Sequence, residues 1–323
     1  MIDPRVLIVS NATDAHVPLV TRHLEGLGVA FFVLNTERFG SDVVGSFVLG
    51  TQEHLLLRDG TRVVDLEHIE SVWYRRPELP ALDQLAAEEA RRFAQEEQKS
   101  FLDGMLACLD GRWLSRPAAI REAGHKLRQL RLARQLGFSV PPTLVSQSPE
   151  EIRDFRAALG RPLAAKIVSK GPPRAPRPDD QYVIFTQRLD DSDLDDSASL
   201  AACASLYQPY LDKAFELRVT VVGQEVFACR IDSQATSRTR VDWRRYDLDN
   251  TPHSAFQLDQ VTEGRCRELV RLLGLAFGAI DLVVTPEDDI VFLEINPNGQ
   301  WGWIEEMTGL PIADAHARFL GGR

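Results

Sequence analysis

Ala279-Ile280-Asp281-Leu282-Val283-Val284, a turn from Thr285 to Asp289, then Ile290-Val291-Phe292-Leu293-Glu294-Ile295-Asn296-Pro297-Asn298-Gly299-Gln300-Trp301 is the stretch that decides the fold. Each apolar run is short, β-branched and bounded by turn residues, the pattern of a buried hairpin. Glu294 and Asn296 are two apart and project from one face, where Asp281 on the partner strand can join them. Three hard oxygen donors then converge on one point, and such a set suits Mg2+, which takes few protein oxygens and keeps positions for phosphates and water. The plainer alternative is that Asp281 starts a turn and Glu294 lies at a sheet edge. The apolar setting argues against it, because a carboxylate bracketed by Phe292, Leu293 and Ile295 is costly without a cation.

Upstream, Arg5 to Ser10 reads as a strand, Asp14 to Gly28 as a helix and Ala30 to Leu34 as a strand, a β-α-β start that favours a parallel sheet. Strands at Gly45 to Gly50, His54 to Leu57 and Ser71 to Tyr74 follow, then a long helical pattern from Leu82 to Leu109. Ile120 to Leu136 reads as one more helix, stopped by Gly137. Ser148 and Glu151 are spaced as a capping box for the helix to Leu159. Lys170 to Asp180 and Asp190 to Ser199 read as mobile loops.

The chain has 323 residues, enough for two or three packed units. A net charge of -10 argues against a nonspecific nucleic-acid surface. Cys108, Cys203, Cys229 and Cys266 lack metal-ligand or redox spacing and read as reduced, mostly buried packing residues. Neither a signal peptide nor an apolar run near the roughly 20 residues needed to span a bilayer is evident. The expectation is a cytoplasmic protein with no membrane and no nucleic-acid partner. The seven histidines form no close metal-ligand spacing.

The hairpin resembles the metal-binding end of ATP-grasp ligases. The tail Glu294-Ile-Asn-Pro-Asn-Gly-Gln-Trp-Gly-Trp-Ile-Glu305 is similar, more narrowly, to the graspetide (microviridin-type) ligases, which close side-chain esters or amides in ribosomal peptides. The likeness continues through Leu206-Tyr-Gln-Pro-Tyr-Leu-Asp-Lys-Ala-Phe-Glu-Leu-Arg-Val-Thr-Val-Val-Gly223, Val226 to Gln234 and Val241-Asp-Trp-Arg-Arg-Tyr246. At the N-terminus it includes Arg5 to Val9, Leu34 to Phe39 and Val72-Trp-Tyr-Arg-Arg-Pro77. It implies an α/β chain of ATP-grasp fold: a substrate-side α/β domain over 1–112, a central lobe over 113–205 and a C-terminal lobe with the Mg/ATP site over 206–323.

By itself Lys126 reads as part of a solvated helix face, and Lys166 as a charge in an apolar strand with few reasons to be buried. The resemblance carries both to the ATP phosphates, where compact positive charge is needed. The loop Ser169 to Pro178 is basic and proline-rich where the family has a glycine-rich cradle, and prolines donate no backbone hydrogen bond. Lys170, Arg174 or Arg177 then supply charge, the loop covers peptide, or it is simply solvated. Gln208, Tyr210 and Leu211 would form the hinge that meets adenine, and Glu216 would accept from ribose hydroxyls. Arg218 alternates with Glu216, so both face the cleft unless they merely pair with each other. Arg230, on the following strand, is expected to join them, and the resemblance gives Arg218 and Arg230 catalytic roles near the phosphoryl and acyl groups. Ser233, Arg240, Asp242, Trp243 and Arg244, with Arg75 and Arg76 at the N-terminal side, are the expected peptide contacts. The same arginines also fit a solvated face.

The function so implied is ATP-dependent macrocyclisation of a precursor peptide with leader and core. Asp or Glu carboxylates would become acyl phosphates and be captured by Thr or Ser hydroxyls, or by Lys amines. ATP and Mg2+ are the expected cofactors, and a homodimer is expected by resemblance. The rivals are a ligase adding free glutamate to a protein tail or small molecule, a non-catalytic ATP-binding regulator, and an acyl-phosphate-forming kinase.

Overall fold

The computed structural model describes residues 3–51, 53–169, 184–245 and 247–323. Lys170, Arg174, Arg177 and Tyr246, singled out in the sequence, lie outside them. The chain forms two compact units, Met1–Pro117 with Pro311–Arg323, and Ala118–Leu310.

In the first unit, β1 (Val6–Ser10), α1 (His16–Gly26), β2 (Phe31–Asn35), β3 (Val43–Leu49), β4 (Glu53–Asp59), β5 (Arg62–Asp65), β6 (Ser71–Tyr74), α2 (Glu88–Ala107) and β7 (Arg112–Leu114) follow in order. The parallel sheet runs β2-β1-β6-β7, and β3-β4-β5 form an antiparallel sheet. Every residue of β1 is buried, as a parallel strand covered on both faces requires. Leu7, Val9 and Val72 pack in one cluster with Leu102, Met105 and Leu106 of α2. The last helix, Ile312–Gly321, completes this unit. It packs on α1, and its His316 ring stands 5.6 Å from Trp73. The sequence reading placed this helix with the C-terminal lobe.

Arg75 is a structural residue of this unit and offers no guanidinium to a peptide. It is 1% exposed. Its Nε lies 3.5 Å from Asp14 Oδ2 and its Nη2 3.2 Å from His16 Nδ1. Burial pulls its pKa down to about 10 against the support of Asp14. The next residue, Arg76, is exposed.

The second unit opens with α3 (Pro117–Ala123) and α4 (Lys126–Gln135), two helices where one was expected, because Gly124 and His125 interrupt the run. There follow β8 (Leu144–Ser146), α5 (Pro149–Leu159), β9 (Leu163–Lys166), β10 (Gln187–Leu189), α6 (Asp191–Asp195), α7 (Ser197–Ala202) and β11 (Ser205–Pro209). The expected loop at 190–199 is thus mostly helical, with Asp190 and Asp196 accepting from the first-turn amides. Ser148 caps α5 by accepting from the Glu151 amide, while the Glu151 side chain accepts from Ser146 Oγ and does not close the box. Last come β12 (Phe215–Val222), β13 (Glu225–Ile231), β14 (His253–Phe256), α8 (Gln260–Leu272), β15 (Phe277–Val284), β16 (Ile290–Asn296) and α9 (Gly302–Thr308). Two antiparallel sheets result, β10-β9-β11-β8 and β14-β13-β12-β15-β16.

The larger sheet has two unlike faces. Leu217, Val219, Val221, Ile280, Leu282, Phe292 and Ile295 share a core with Leu130 of α4, Leu269 and Val270 of α8, and Leu273 just after it. The opposite face carries Glu216, Arg218 and Asp281, by the alternation of side chains along a strand. Cys229 and Cys266 are buried, whereas Cys108 and Cys203 are exposed, so only half of the cysteines are the packing residues expected.

Candidate active site

The expected hairpin is β15-β16, with Asp281 opposite Glu294 and Ala279 opposite Asn296. One feature decides which way the carboxylate points. The register shifts between Asp281 and Leu282, which pair with Glu294 and Phe292 and leave Leu293 as an extra residue. Strict alternation would put Phe292 and Glu294 on one face; the bulge sends Phe292 into the core and Glu294 to the polar face.

A cleft of about 460 Å³ opens there, within the range of small-molecule sites. Among the expected residues, Lys126, Lys166, Gln208, Tyr210, Leu211, Glu216, Asp242, Trp243, Arg244, Asp281, Glu294 and Asn296 line it. Lys126, Lys166, Lys213 and Arg244 bring four cationic side chains to its wall, a setting for a polyanion.

The contacts between them are specific. Lys126 Nζ donates to Glu294 Oε2 at 3.0 Å, and Arg244 Nη1 lies 3.9 Å from Glu294 Oε1. Arg218 Nη1 is 2.9 Å from each oxygen of Asp281. Burial pushes the Glu294 carboxyl up, but Lys126, Arg244 and Lys166 together hold it below its usual value. The Asp281 carboxyl is raised, first by burial and further by Glu294, against the pull of Arg218. Lys166 donates to Gln208 Oε1 at 3.1 Å, and the Gln208 amide donates to Thr143 Oγ1 at 3.0 Å. Burial lowers the Lys166 pKa to about 8, with Glu294 opposing and Lys126 adding to the shift. Glu216 accepts from Lys213 at 2.9 Å, so its partner is Lys213 and not Arg218.

Asp281, Glu294 and Asn296 fit a hard divalent cation. Two carboxylates stand in register on one shielded face, each raising the cost of the other's charge, and a third oxygen donor follows two pairs along the ladder. Asn296 is exposed, and its Oδ1 accepts from the Asn298 amide at 3.0 Å, which fixes the carboxamide at the mouth of the turn. Among the described residues no group of three or more His, Cys, Asp and Glu side chains gathers as a self-sufficient metal cage. Such a poor cage leaves coordination positions to phosphate oxygens.

Several expected residues are elsewhere. Arg230 pairs with Leu217 and therefore leaves from the core face; its guanidinium lies over the Phe215 ring at 3.9 Å and donates to Asp232 at 2.8 Å. Arg218 and Arg230 sit at odd offset across the β12-β13 ladder, which is why they cannot share a face. Ser233 is buried, and its Oγ accepts from Gln234 Nε2 at 3.1 Å. Arg240 is exposed, with its carbonyl accepting from Gln234 Nε2 at 3.2 Å. Asp242 has its oxygens taken: it accepts from the Thr186 amide at 2.9 Å and from the amide, Nε and Nη2 of Arg244. Burial drives its carboxyl up, but the Arg244 bonds outweigh that and hold it down to about 2. Asp242 therefore aims Arg244 at Glu294. The Trp243 ring lies 5.2 Å from that of Trp303, tilted by 43°, with Arg218 over the Trp243 ring at 5.7 Å.

Sequence reasoning missed Lys213, Thr143, Gln129 and Gly299. A Cβ on Gly299 would fall 2.6 Å from Arg218 Nη2 and 2.6 Å from Ala279 Cβ, so glycine is what lets Arg218 lie beside the turn, where it also reaches the Gln300 carbonyl at 3.4 Å. Nothing in the sequence marked this close approach.

Residues 5–121 match the model of the MvdD pre-ATP grasp domain. No curated protein matches. Among solved structures, the chain is similar to the macrocyclase MdnC of Microcystis aeruginosa MRC, bound there with precursor peptide MdnA, at 33% identity, 98% of this chain, 99% of that chain and a TM-score of 0.85. It is also similar to a Chryseobacterium gregarium RiPP-associated ATP-grasp ligase, in complex with ADP and a leader and core peptide, at 27% identity over 99% of this chain and 97% of that one, with a TM-score of 0.89. The macrocyclase MdnB of Microcystis aeruginosa MRC matches at 29% identity over 98% of both chains, with a TM-score of 0.77.

Proposed function

Because the chain belongs to the ATP-grasp ligases that macrocyclise ribosomally made peptides, we propose that it closes side-chain rings in a precursor peptide of leader and core at the expense of ATP. The observation that carries this reading is the cleft in which four cationic side chains surround the opposed carboxylates Asp281 and Glu294. A peptide Asp or Glu carboxylate attacks the γ-phosphorus of ATP, giving an acyl phosphate and ADP. A Thr or Ser hydroxyl, or a Lys amine, then attacks the acyl carbon; its proton leaves to solvent, phosphate departs, and an ester or amide remains.

Lys126, Lys166 and Lys213 neutralise phosphate charge, and the β11 hinge from Gln208 to Leu211 covers the base. Mg2+ held by Asp281, Glu294 and Asn296 would supply charge neutralisation at the transferring phosphoryl group. Arg218 is pinned by Asp281 and the Gln300 carbonyl near the Trp243 ring, so its charge keeps its place without reorganisation as charge develops at the acyl group. The exposed Arg240 and Arg76 are the peptide contacts that stay available. A homodimer and a cytoplasmic setting belong to the same proposal; no helix among the described residues is long and apolar enough to cross a membrane.

Mass spectrometry of a precursor peptide incubated with enzyme, ATP and Mg2+ tests the reading. The expected product is lighter by one water per bond. A product heavier by one amino-acid residue would replace macrocyclisation with ligation of a free amino acid.

Lys166 gives a pH prediction. Its folded pKa of about 8 is below the ordinary lysine value, so the nucleotide-free site loses this charge as pH rises through 8, and binding a triphosphate then requires proton uptake. ATP affinity should hold below pH 8 and fall by up to about tenfold per pH unit above it. Lys166→Ala should bind ATP weakly and without that slope. Calorimetry from pH 7 to 9.5 with a flat wild-type profile would remove Lys166 from the phosphate site.

A further inference from the structure

The strand that carries Glu294 and Asn296 is an edge strand, last in the order β14-β13-β12-β15-β16. An edge leaves a row of backbone groups unpaired on its outer side, and such strands slip or fray unless something covers them. Part of that edge is covered by Ser139, whose carbonyl accepts from the Phe292 amide at 2.8 Å. Beyond the bulge, at Ile295, no strand among the described residues takes over.

Gln129 does so instead. Its Oε1 accepts from the Ile295 amide at 3.1 Å, and its Nε2 donates to the Ile295 carbonyl at 2.8 Å. The second Nε2 hydrogen goes to the Ala123 carbonyl at 2.7 Å, where α3 ends. One carboxamide thus presents a donor and an acceptor side by side, as the backbone of a neighbouring strand would. The alternation of an antiparallel ladder makes the consequence local. With both polar groups of Ile295 turned outward, those of Glu294 and Asn296 turn inward to β15. Gln129 is 2% exposed and lies one helical turn from Lys126, whose Nζ holds the Glu294 carboxylate. Helix α4 therefore grips the same strand twice, by the backbone at Ile295 and by the side chain at Glu294.

We propose that Gln129 is a positioning residue for the cation site: by standing in for a missing strand at Ile295 it fixes the register and the aim of Glu294 and Asn296. This rests on the metal reading given above. Gln129 borders the cleft, but both Nε2 hydrogens and Oε1 are directed at backbone, so its removal should loosen the cation with little effect on peptide recognition. Outer partners that hold metal ligands typically change affinity by about 10- to 100-fold when lost.

The test is Mn2+ binding, followed by electron paramagnetic resonance, to the full chain in the presence of ADP. It compares wild type, Glu294→Gln, Gln129→Met and Gln129→Glu, with thermal melting of each. Methionine keeps the volume and loses all three bonds; glutamate keeps the acceptor and loses the donors. Both Gln129 variants should weaken Mn2+ by at least about tenfold while still melting cooperatively, and peptide affinity should move less than about twofold. If Glu294→Gln weakens Mn2+ but both Gln129 variants bind it as wild type does, Gln129 is only a structural clamp and the proposal is wrong. If Glu294→Gln also binds as wild type, the metal reading has failed, and this one with it. Should Gln129→Met fail to fold, Gln129→Glu alone decides between these outcomes.

Discussion

Glu294→Gln is expected to lower kcat/KM by about a thousandfold or more, roughly 4 kcal/mol of transition-state stabilisation, in a protein that still melts cooperatively. Glutamine is nearly isosteric, so the core beneath β16 is undisturbed; what disappears is one anionic oxygen pair. Glu294 is where two demands meet, since it holds Lys126 and Arg244 in place and, in the proposed function, would also take the cation. The amide cannot balance both positive side chains, and the phosphate site should lose order as well as charge. Initial rates at limiting peptide with saturating Mg2+ and ATP, with a melting curve beside them, check this. Activity within about tenfold of wild type would leave Glu294 as a structural ion-pair partner.

Gly299→Ala should be nearly as damaging although it removes no charge. The new methyl carbon would sit 2.6 Å from Ala279 Cβ and from Arg218 Nη2. The guanidinium could swing away, but Ala279 is fixed to a central strand, so the turn after Asn296 must shift and carry Asn296 with it. About a hundredfold lower kcat is expected, with ATP affinity changed by less than about threefold because the lysines are untouched. Single-turnover rates and nucleotide titration separate the two quantities. A variant with normal kcat would mean that Arg218 does not need its seat beside the turn.

The hairpin was legible because two short apolar runs flank a turn, and alternation along a strand then brings Asp281, Glu294 and Asn296 together. Even so, alternation alone would have put Phe292 and Glu294 on one face. The residue that separates them, Leu293, carries no sign of a bulge. The same rule located Arg218 correctly and misled on Arg230, because strand membership does not reveal cross-strand register; only the pairing of Leu217 with Arg230 does. Burial was the harder quantity. Arg75 and Arg76 are adjacent and alike in sequence, yet one is sealed against Asp14 and the other exposed. Gln129 was invisible for a similar reason, since a polar residue in an arginine-rich helix gives no hint that it completes a sheet. The expected helix breaks at Gly124 and His125, and Lys126 starts a new one.

The first unit is finished by the last helix of the chain. Arg112 donates to the Phe319 carbonyl at 2.9 Å across 207 residues, and His316 is fully buried beside Trp73. The cleft unit is thus an insertion within a host, and a growing chain meets these parts in an unusual order. All residues of the cleft unit emerge from the ribosome before the host receives the segment that seals its core. Local contacts inside the insertion can form early, whereas the host must wait for a long loop to close, and closure becomes cheaper once that loop has already collapsed into a compact body. Synthesis order therefore favours assembling the cleft unit first and completing its host last.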